Sequence, residues 1–512
     1  MSIPNLTSAY SVEFLARKPE NEEKWTLGRK LKYIVNNITV EPLLFLLLVP
    51  SAMNNLTTLN LNLEKACRIN LHYNSSVCDA LAMRDKSGYE TYHEEEVQKL
   101  VSQMTTIKMI IVGSYPTLLM LFVGSWSDRH GRRKPLILMP IFGDLVSTIC
   151  LYFCAYYFLD LSIEWTMMAE TIPFALCGTW TCEFLGLYTY VSGLCKDEER
   201  TVRIGAVTVC QIISLTLGMM LSGVMINVLG YKGVYVLSSV LLTLSFIYGV
   251  VMVKESNIQT DKEKANAENS IKEFFSTKHI VSTFKVCFKN GADNRRSKMT
   301  VLMLLSFMVM GPLFGEYSVV YIYTRLKFKW SEIDFSIYST VHSIVQVIGG
   351  SIALSFFSKY LGCDDATLGI IATITKICAC IIYAFAPSTL IFYVGAFAEI
   401  FHSTCHIAMR SIMAKLVPPQ ELGQTNSIFA IFESITPLLF GPLYNKVYKE
   451  TINTFPGSFY IVTVSLNFVT LFLFIWMYRA NKNDGNKNSE QYEAVKQESM
   501  LQVKEKPDSH GD

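Results

Sequence analysis

The sequence predicts an all-α polytopic membrane protein with about twelve transmembrane helices in two six-helix halves. Three observations predict it. Of the 512 residues, 51% are apolar and 17% are charged, against roughly 25% charged in an average soluble protein. The apolar residues fall in runs of about 20, the length that crosses a bilayer as a helix. A long polar stretch rich in Lys and Arg, 254–298, divides those runs into two sets of six.

Residues 1–35 are polar and carry Arg17, Lys18, Lys24, Arg29, Lys30 and Lys32. They lack the apolar core of a cleavable signal peptide. The N-terminal half, 36–253, has spans at 36–56, 104–125, 135–158, 165–188, 204–226 and 233–253. The linker 254–298 is too polar to cross a membrane. The C-terminal half, 299–478, has spans at 299–321, 335–357, 366–386, 389–414, 425–444 and 459–478. The tail, 479–512, has the composition of a disordered segment. Lys and Arg gather in the N-terminal segment, the turns near 129–134 and 196–203, the linker and the tail, which all share one side if the spans alternate. The bias of basic residues to the cytosol then places both termini and the linker there. Arg325, Lys327 and Lys329 run against that bias without reversing it.

Most of the 13 cysteines lie inside apolar runs, where they pack as small hydrophobes. Cys67 and Cys78 instead fall in the long loop expected between the first two spans. Asn55-Leu-Thr57 and Asn74-Ser-Ser76 in the same region match the glycosylation acceptor pattern. Glycans on Asn55 and Asn74, and a disulfide between Cys67 and Cys78, are therefore expected on a non-cytosolic loop. Tyr492-Glu-Ala-Val495 fits an aromatic-x-x-apolar sorting signal, and the plasma membrane is favoured over endosomal or lysosomal membranes. No phosphate-cradling glycine loop, His-Glu-x-x-His or Gly-x-Ser-x-Gly is present, so no enzyme, cofactor or resident metal is expected. A net charge of +2 gives no reason to expect a nucleic acid polymer as partner.

The stretch Gly124-Ser-Trp-Ser-Asp128-Arg129-His-Gly131-Arg132-Arg133-Lys134 separates the second and third runs. On residue types alone it is a basic cytosolic turn. It also resembles the loop between helices two and three of major facilitator transporters, with a Gly, an Asp four residues on, and cations around a second Gly. The resemblance implies that Gly124, Asp128, Arg129, Arg132 and Arg133 gate the cytosolic face. At the corresponding place in the second half, Gly349-Gly350-Ser351 and Ser358-Lys359 form a degenerate echo.

Ionisable groups inside spans are costly and usually face a cavity. Here they are Glu41, Lys108, Asp144, Glu170, Glu183, Glu316, His342, Lys376, Glu399, His402, His406, Arg410 and Glu433. Lys108 is expected to snorkel to the interface. Glu399, His402, His406 and Arg410 are spaced 3, 4 and 4, which lays them on one face of an unbroken helix. They read as a polar wall of a central cavity: Arg410 to hold an anion through its fork, the histidines to change charge near neutral pH. Mutual pairing that only packs helices is the plainer alternative. Glu316 follows Gly311-Pro312 and Gly315, a sequence expected to break the seventh span. Glu316 and Glu183 join the histidines as candidate proton-coupling groups. His402 and His406, with Glu399, also have the spacing of a helical metal site, which keeps a metal-ion transporter open.

Beyond the superfamily, the chain resembles the group containing the proton-coupled folate transporter and the thymic stromal cotransporter. The stretches that carry this are Thr39-Val-Glu41-Pro42, Gly178-Thr-Trp, Tyr188-Thr-Tyr-Val, Arg200-Thr-Val-Arg203-Ile-Gly205, and Arg410-Ser-Ile-Met-Ala-Lys-Leu-Val417-Pro418-Pro419-Gln-Glu421-Leu-Gly423. It departs from the folate member at Gly193 and Thr208, where that protein has acids. The resemblance implies alternating-access transport of an organic anion, folate-like, nucleotide-like or muropeptide-like, with protons, across a lipid bilayer. It also implies that Arg410 binds substrate. A transporter-like receptor that binds without flux is the other alternative.

Overall fold

The apolar runs fold as helices because a helix satisfies its own backbone hydrogen bonds where no water can. The computed structural model describes residues 38–130, 133–194, 197–254, 289, 294–417 and 422–504. Among them there is no strand. In chain order the helices are α1 Glu41–Lys65, α2 Ser75–Met83, α3 Thr91–His130, α4 Lys134–Tyr156, α5 Ile163–Leu176, α6 Thr179–Leu194 and α7 Asp197–Met252. After the linker come α8 Arg295–Phe328, α9 Glu332–Ile352, α10 Asp365–Phe385, α11 Thr389–Ala398, α12 Ser403–Leu416, α13 Leu422–Thr451 and α14 Ser458–Lys504. Helix α7 carries the fifth and sixth spans, joined at Gly230 in a left-handed conformation. Pairs α5/α6 and α11/α12 are the two parts of the fourth and tenth spans. α14 continues past its apolar portion into the polar tail.

Within the N-terminal half, α1 packs along α7, and α4 packs on α5, α6 and α7. Within the C-terminal half, α10 packs on α14 and α12, and α8 on α13. The halves meet where α3 crosses α13 and where α7 crosses α9.

The first span is longer than its sequence suggests. It runs to Lys65 and continues in a wider turn, Ala66–Asn70. Its polar residues are buried partners, not loop. Thr58 hydrogen-bonds Tyr235 at 2.9 Å, Lys65 Nζ donates to the Leu161 carbonyl at 2.6 Å, and Asn60 accepts from Tyr321 at 2.5 Å. Asn55 therefore lies inside a spanning helix, where its amide donates to the Tyr317 hydroxyl at 2.8 Å. That overturns its placement in a loop. Asn74 precedes α2 and is exposed. Cys67 and Cys78 are joined by a disulfide, Cα atoms 5.9 Å apart, which clips α2 to the end of α1. Beside it, burial and then the Glu96 carboxylate push the Tyr73 hydroxyl up to about 12.

The disulfide marks one face of the molecule; the ends of α3 and α6 lie at the other. At the disulfide face the halves are bolted together. Arg84 pairs with Glu332 at 2.6 Å and Lys329 with Glu94 at 2.5 Å. Arg325 donates to Asn60 at 3.2 Å and to the Leu81 carbonyl at 3.0 Å. Tyr448 donates to Gln98 at 2.7 Å and Ser102 to Asn445 at 3.0 Å. A cavity of about 310 Å³ lies among these residues.

Candidate functional site

Two spans are broken, and they hold corresponding places, fourth in each half. Paired interruptions of this kind are the structural pointer to a transport site. In the N-terminal half the break falls at Gly178, whose φ of +93° suits a residue without a Cβ. In the C-terminal half it falls at 399–402, between α11 and α12. Gln346 on α9 holds this second break. Its amide donates to the Glu399 carbonyl at 3.0 Å, and its side-chain oxygen accepts from the Ser403 amide at 3.0 Å.

The seventh span is not broken. Helix α8 runs unbroken through Pro312, as neighbouring helices permit in a membrane. Gly311 and Gly315 instead make room for the rings of Phe440 and Tyr444 on α13. Glu316 thus projects from a regular helix.

The break in the tenth span divides the expected stripe. Glu399 sits at the bend and turns to Lys376 on α10, 2.7 Å away, and to His342 on α9, 3.5 Å away. Lys376 also reaches Glu316 at 2.8 Å. Glu316 in turn accepts from Thr463 at 2.7 Å and has Cys380 Sγ at 3.6 Å. The Lys376 and Glu399 side chains are only 4% and 3% exposed. His402 lies beside this cluster with its Nδ1 buried and without a hydrogen-bond partner. Residue types named Glu316 and Glu399 as candidates; Lys376, which neutralises both, was not among the site residues chosen from sequence. Its position in an apolar run was the signal.

His406 and Arg410, past the break, belong elsewhere. Arg410 Nη2 is 2.5 Å from Glu433 Oε1 on α13, and His406 Nε2 is 3.6 Å from the same oxygen. The Phe429 ring lies 5.3 Å from the guanidinium, within the range of a cation–π contact. These side chains are open: Arg410 is 29% and His406 41% exposed. From the N-terminal half, Tyr188 on α6 lies within electrostatic reach of Arg410 and donates to Gln211 at 2.9 Å. Nearby, Trp180 and Phe314 meet across the halves, ring centroids 5.3 Å apart. The site therefore lies between the halves.

In the N-terminal half Glu183 is 3% exposed, and its Oε1 has no hydrogen-bond partner. Asp144 accepts from Ser51 and lies within electrostatic reach of Glu183. Lys108 does not snorkel; it pairs with Glu170 at 2.5 Å. Of the gating candidates, the side chains of Asp128 and Arg129 and all of Arg132 lie outside the described residues, and Gly124 is described by its backbone alone. The backbone of 124–129 continues α3 as helix where a turn was expected. Arg133 donates to the Thr189 carbonyl at 2.6 Å. Arg203 forks onto Glu41 and reaches Thr39 at 2.8 Å, so the Thr39-Val-Glu41 and Arg200-Thr-Val-Arg203 stretches close on each other. No group of three or more His, Cys, Asp or Glu among the described residues could hold a metal ion.

The Major Facilitator Superfamily model matches residues 100–362 and 299–504. The probable peptidoglycan muropeptide transporter SLC46 of Drosophila melanogaster is 23% identical over 83% of this chain and 83% of its own. The human lysosomal proton-coupled steroid conjugate and bile acid symporter SLC46A3 is 25% identical over 77% of this chain and 82% of its own. The rat proton-coupled folate transporter is 22% identical over 74% of this chain and 79% of its own. Among solved structures, a POT family transporter bound to a thioalcohol-conjugated peptide superposes with a TM-score of 0.57 at 13% identity, covering 87% of this chain and 96% of that one. The human organic anion transporter MFSD10 gives 0.56 at 14%, covering 85% and 98%.

Proposed function

Because the chain belongs to the Major Facilitator Superfamily, we propose that it is a secondary transporter that carries an organic anion together with protons by alternating access. The observation that carries this reading is Arg410. It is a permanent cation between the halves, 29% exposed and paired with the Glu433 carboxylate. A substrate carboxylate or phosphate is the natural competitor for that fork. The proton-coupled relatives and the muropeptide transporter support an anionic, polar cargo. The halves are bolted at the disulfide face, so this state presents its site towards the opposite side. The disulfide and the exposed Asn74 acceptor support a non-cytosolic disulfide face. Both termini then lie in the cytosol, and the plasma membrane is the proposed location.

The test is uptake of muramyl dipeptide, taurocholate and folate into proteoliposomes with and without an inward proton gradient. Gradient-driven accumulation of one of them is expected. Binding without accumulation would favour a receptor. In cells, a glycosidase shift abolished by Asn74→Gln, together with surface biotinylation, checks orientation and location.

A further inference from the structure

We propose that the cavity at the disulfide face binds a small organic carboxylate between Arg84 and Arg325, and that this ligand clasps the two halves together. The cavity shares no lining residue with the cluster around Arg410. Its binding of an acid stands without the transport reading; only the regulation of flux that follows from it rests on that reading.

The walls come from both halves. Glu64, Arg84 and Gln98 belong to the N-terminal half, Arg325 and Glu332 to the C-terminal half. Among the described residues the ion pairs at this contact join three cations, Arg84, Arg325 and Lys329, to two carboxylates, Glu332 and Glu94. Arg84 takes Glu332 at 2.6 Å, and Lys329 takes Glu94 at 2.5 Å. Arg325 keeps neutral groups at hydrogen-bond distance, Asn60 at 3.2 Å and the Leu81 carbonyl at 3.0 Å. Glu332 is 3.9 Å from it, and Glu94 acts on it only from further off. The Arg325 side chain is 8% exposed. A cation so far withdrawn from water without a carboxylate of its own is costly, and one added anion balances it. Arg84 also lines the cavity, with its Nε buried and without a hydrogen-bond partner. Guanidinium donors on two walls of one cavity suit the paired oxygens of a carboxylate.

Glu64 does not supply the balance. It pairs with Arg68 at 3.1 Å, and the second acid on Arg68, Asp79, is 56% exposed. That trio carries its extra negative charge in solvent, where it is screened. The rest of the lining includes Leu63, Leu81, Val97 and Ile226. A carbon skeleton gains from such a wall, whereas chloride or phosphate does not. The volume of about 310 Å³ stands at the lower end of small-ligand sites, which suits an acid of a few carbon atoms. Opening this face would draw Arg84 away from Arg325. A ligand that needs both therefore favours the closed arrangement in proportion to its concentration.

The experiment uses the full-length protein in detergent at about pH 7.5, where carboxylic acids are anions. The thermal unfolding midpoint is read against acetate, L-lactate and L-glutamate at constant ionic strength, with lactamide, chloride and inorganic phosphate as comparison solutes. At least one acid is expected to raise the midpoint saturably, and the comparison solutes are not. Arg325→Gln should raise the concentration giving half the shift by about tenfold or more, the effect of losing a charged hydrogen-bond partner. Arg84→Gln combined with Glu332→Gln removes the other guanidinium without stranding an acid. It should weaken binding similarly, and it guards against a folding defect in the first variant. Arg410→Gln should keep the wild-type response. No shift with any of the three acids, an equal shift with chloride or phosphate, or a response lost in Arg410→Gln but kept in Arg325→Gln would overturn the site. In proteoliposomes, the same acid on the disulfide face should slow flux without changing apparent affinity for cargo. Binding that leaves flux unchanged would overturn the regulation alone. A wild type that carries no cargo would overturn the transport reading and the regulation with it, and the thermal result would still decide the site.

Discussion

Two clusters in the C-terminal half use the same chemistry and differ in access. Around Lys376, a cation lies 2.7 and 2.8 Å from two carboxylates and is 4% exposed. Around Arg410, a cation lies 2.5 Å from one carboxylate and is 29% exposed. Distance alone would rank them equal. Access separates them, because a buried ion pair can change partners only by exposing a charge to the low dielectric around it, whereas an open one can trade its partner for a ligand. The first cluster is built to stay as it is; the second has the means to exchange. Both descend from one run of residues, 399–410, split by a bend.

The comparison can be broken most forcefully at Lys376. Lys376→Met leaves Glu316 and Glu399 uncompensated, and removing one partner of a buried pair typically costs about 3–5 kcal/mol. Loss of folded protein in a fluorescence size-exclusion assay is expected. Adding Glu316→Gln and Glu399→Gln to the same chain should restore part of it. A monodisperse single variant with normal uptake would show that the cluster carries no structural burden.

A smaller effect is expected at the open cluster. Arg410→Lys should fold normally yet lose roughly tenfold or more in apparent affinity for anionic substrates, since an ammonium cannot reproduce the planar fork. Concentration-dependent uptake is the measurement; an unchanged affinity would move the substrate elsewhere. The finest test separates the two histidines. His406 touches Glu433 and His402 lies beside Glu399. His406→Ala should flatten the rise in uptake between about pH 7.5 and 5.5, because it removes the ring that faces Glu433. His402→Ala should leave that profile close to wild type. Equal profiles for the two variants would erase the distinction between the clusters.

Much of this was legible in residue types. Apolar run length gave the helices, and ionisable residues inside the runs pointed to the candidate clusters. What was hidden depended on partners far away in the chain. Thr58 and Asn60, beyond the expected end of the first span, read as loop because they are polar, yet with Asn54 and Asn55 they join α1 to α4, α7 and the opposite half. The 3, 4, 4 spacing described one stripe only for an unbroken helix. Nothing at Glu399-Ile-Phe-His402 announces a bend, because Gln346 and Lys376 impose it from other helices. Gly311-Pro312 announced a break that did not occur, because α13 packs its rings against the glycines there. Local sequence marks where a helix is able to bend; its neighbours decide whether it does.

The bolt at the disulfide face has a pharmacological consequence. Arg84, held beside the clipped helix α2, and Glu332, at the start of α9, form part of one surface only while the halves touch. An antibody fragment whose footprint spans both would have an epitope in one conformation and none in the other. By binding that state alone it would hold it, from the disulfide face and without entering the space between the halves.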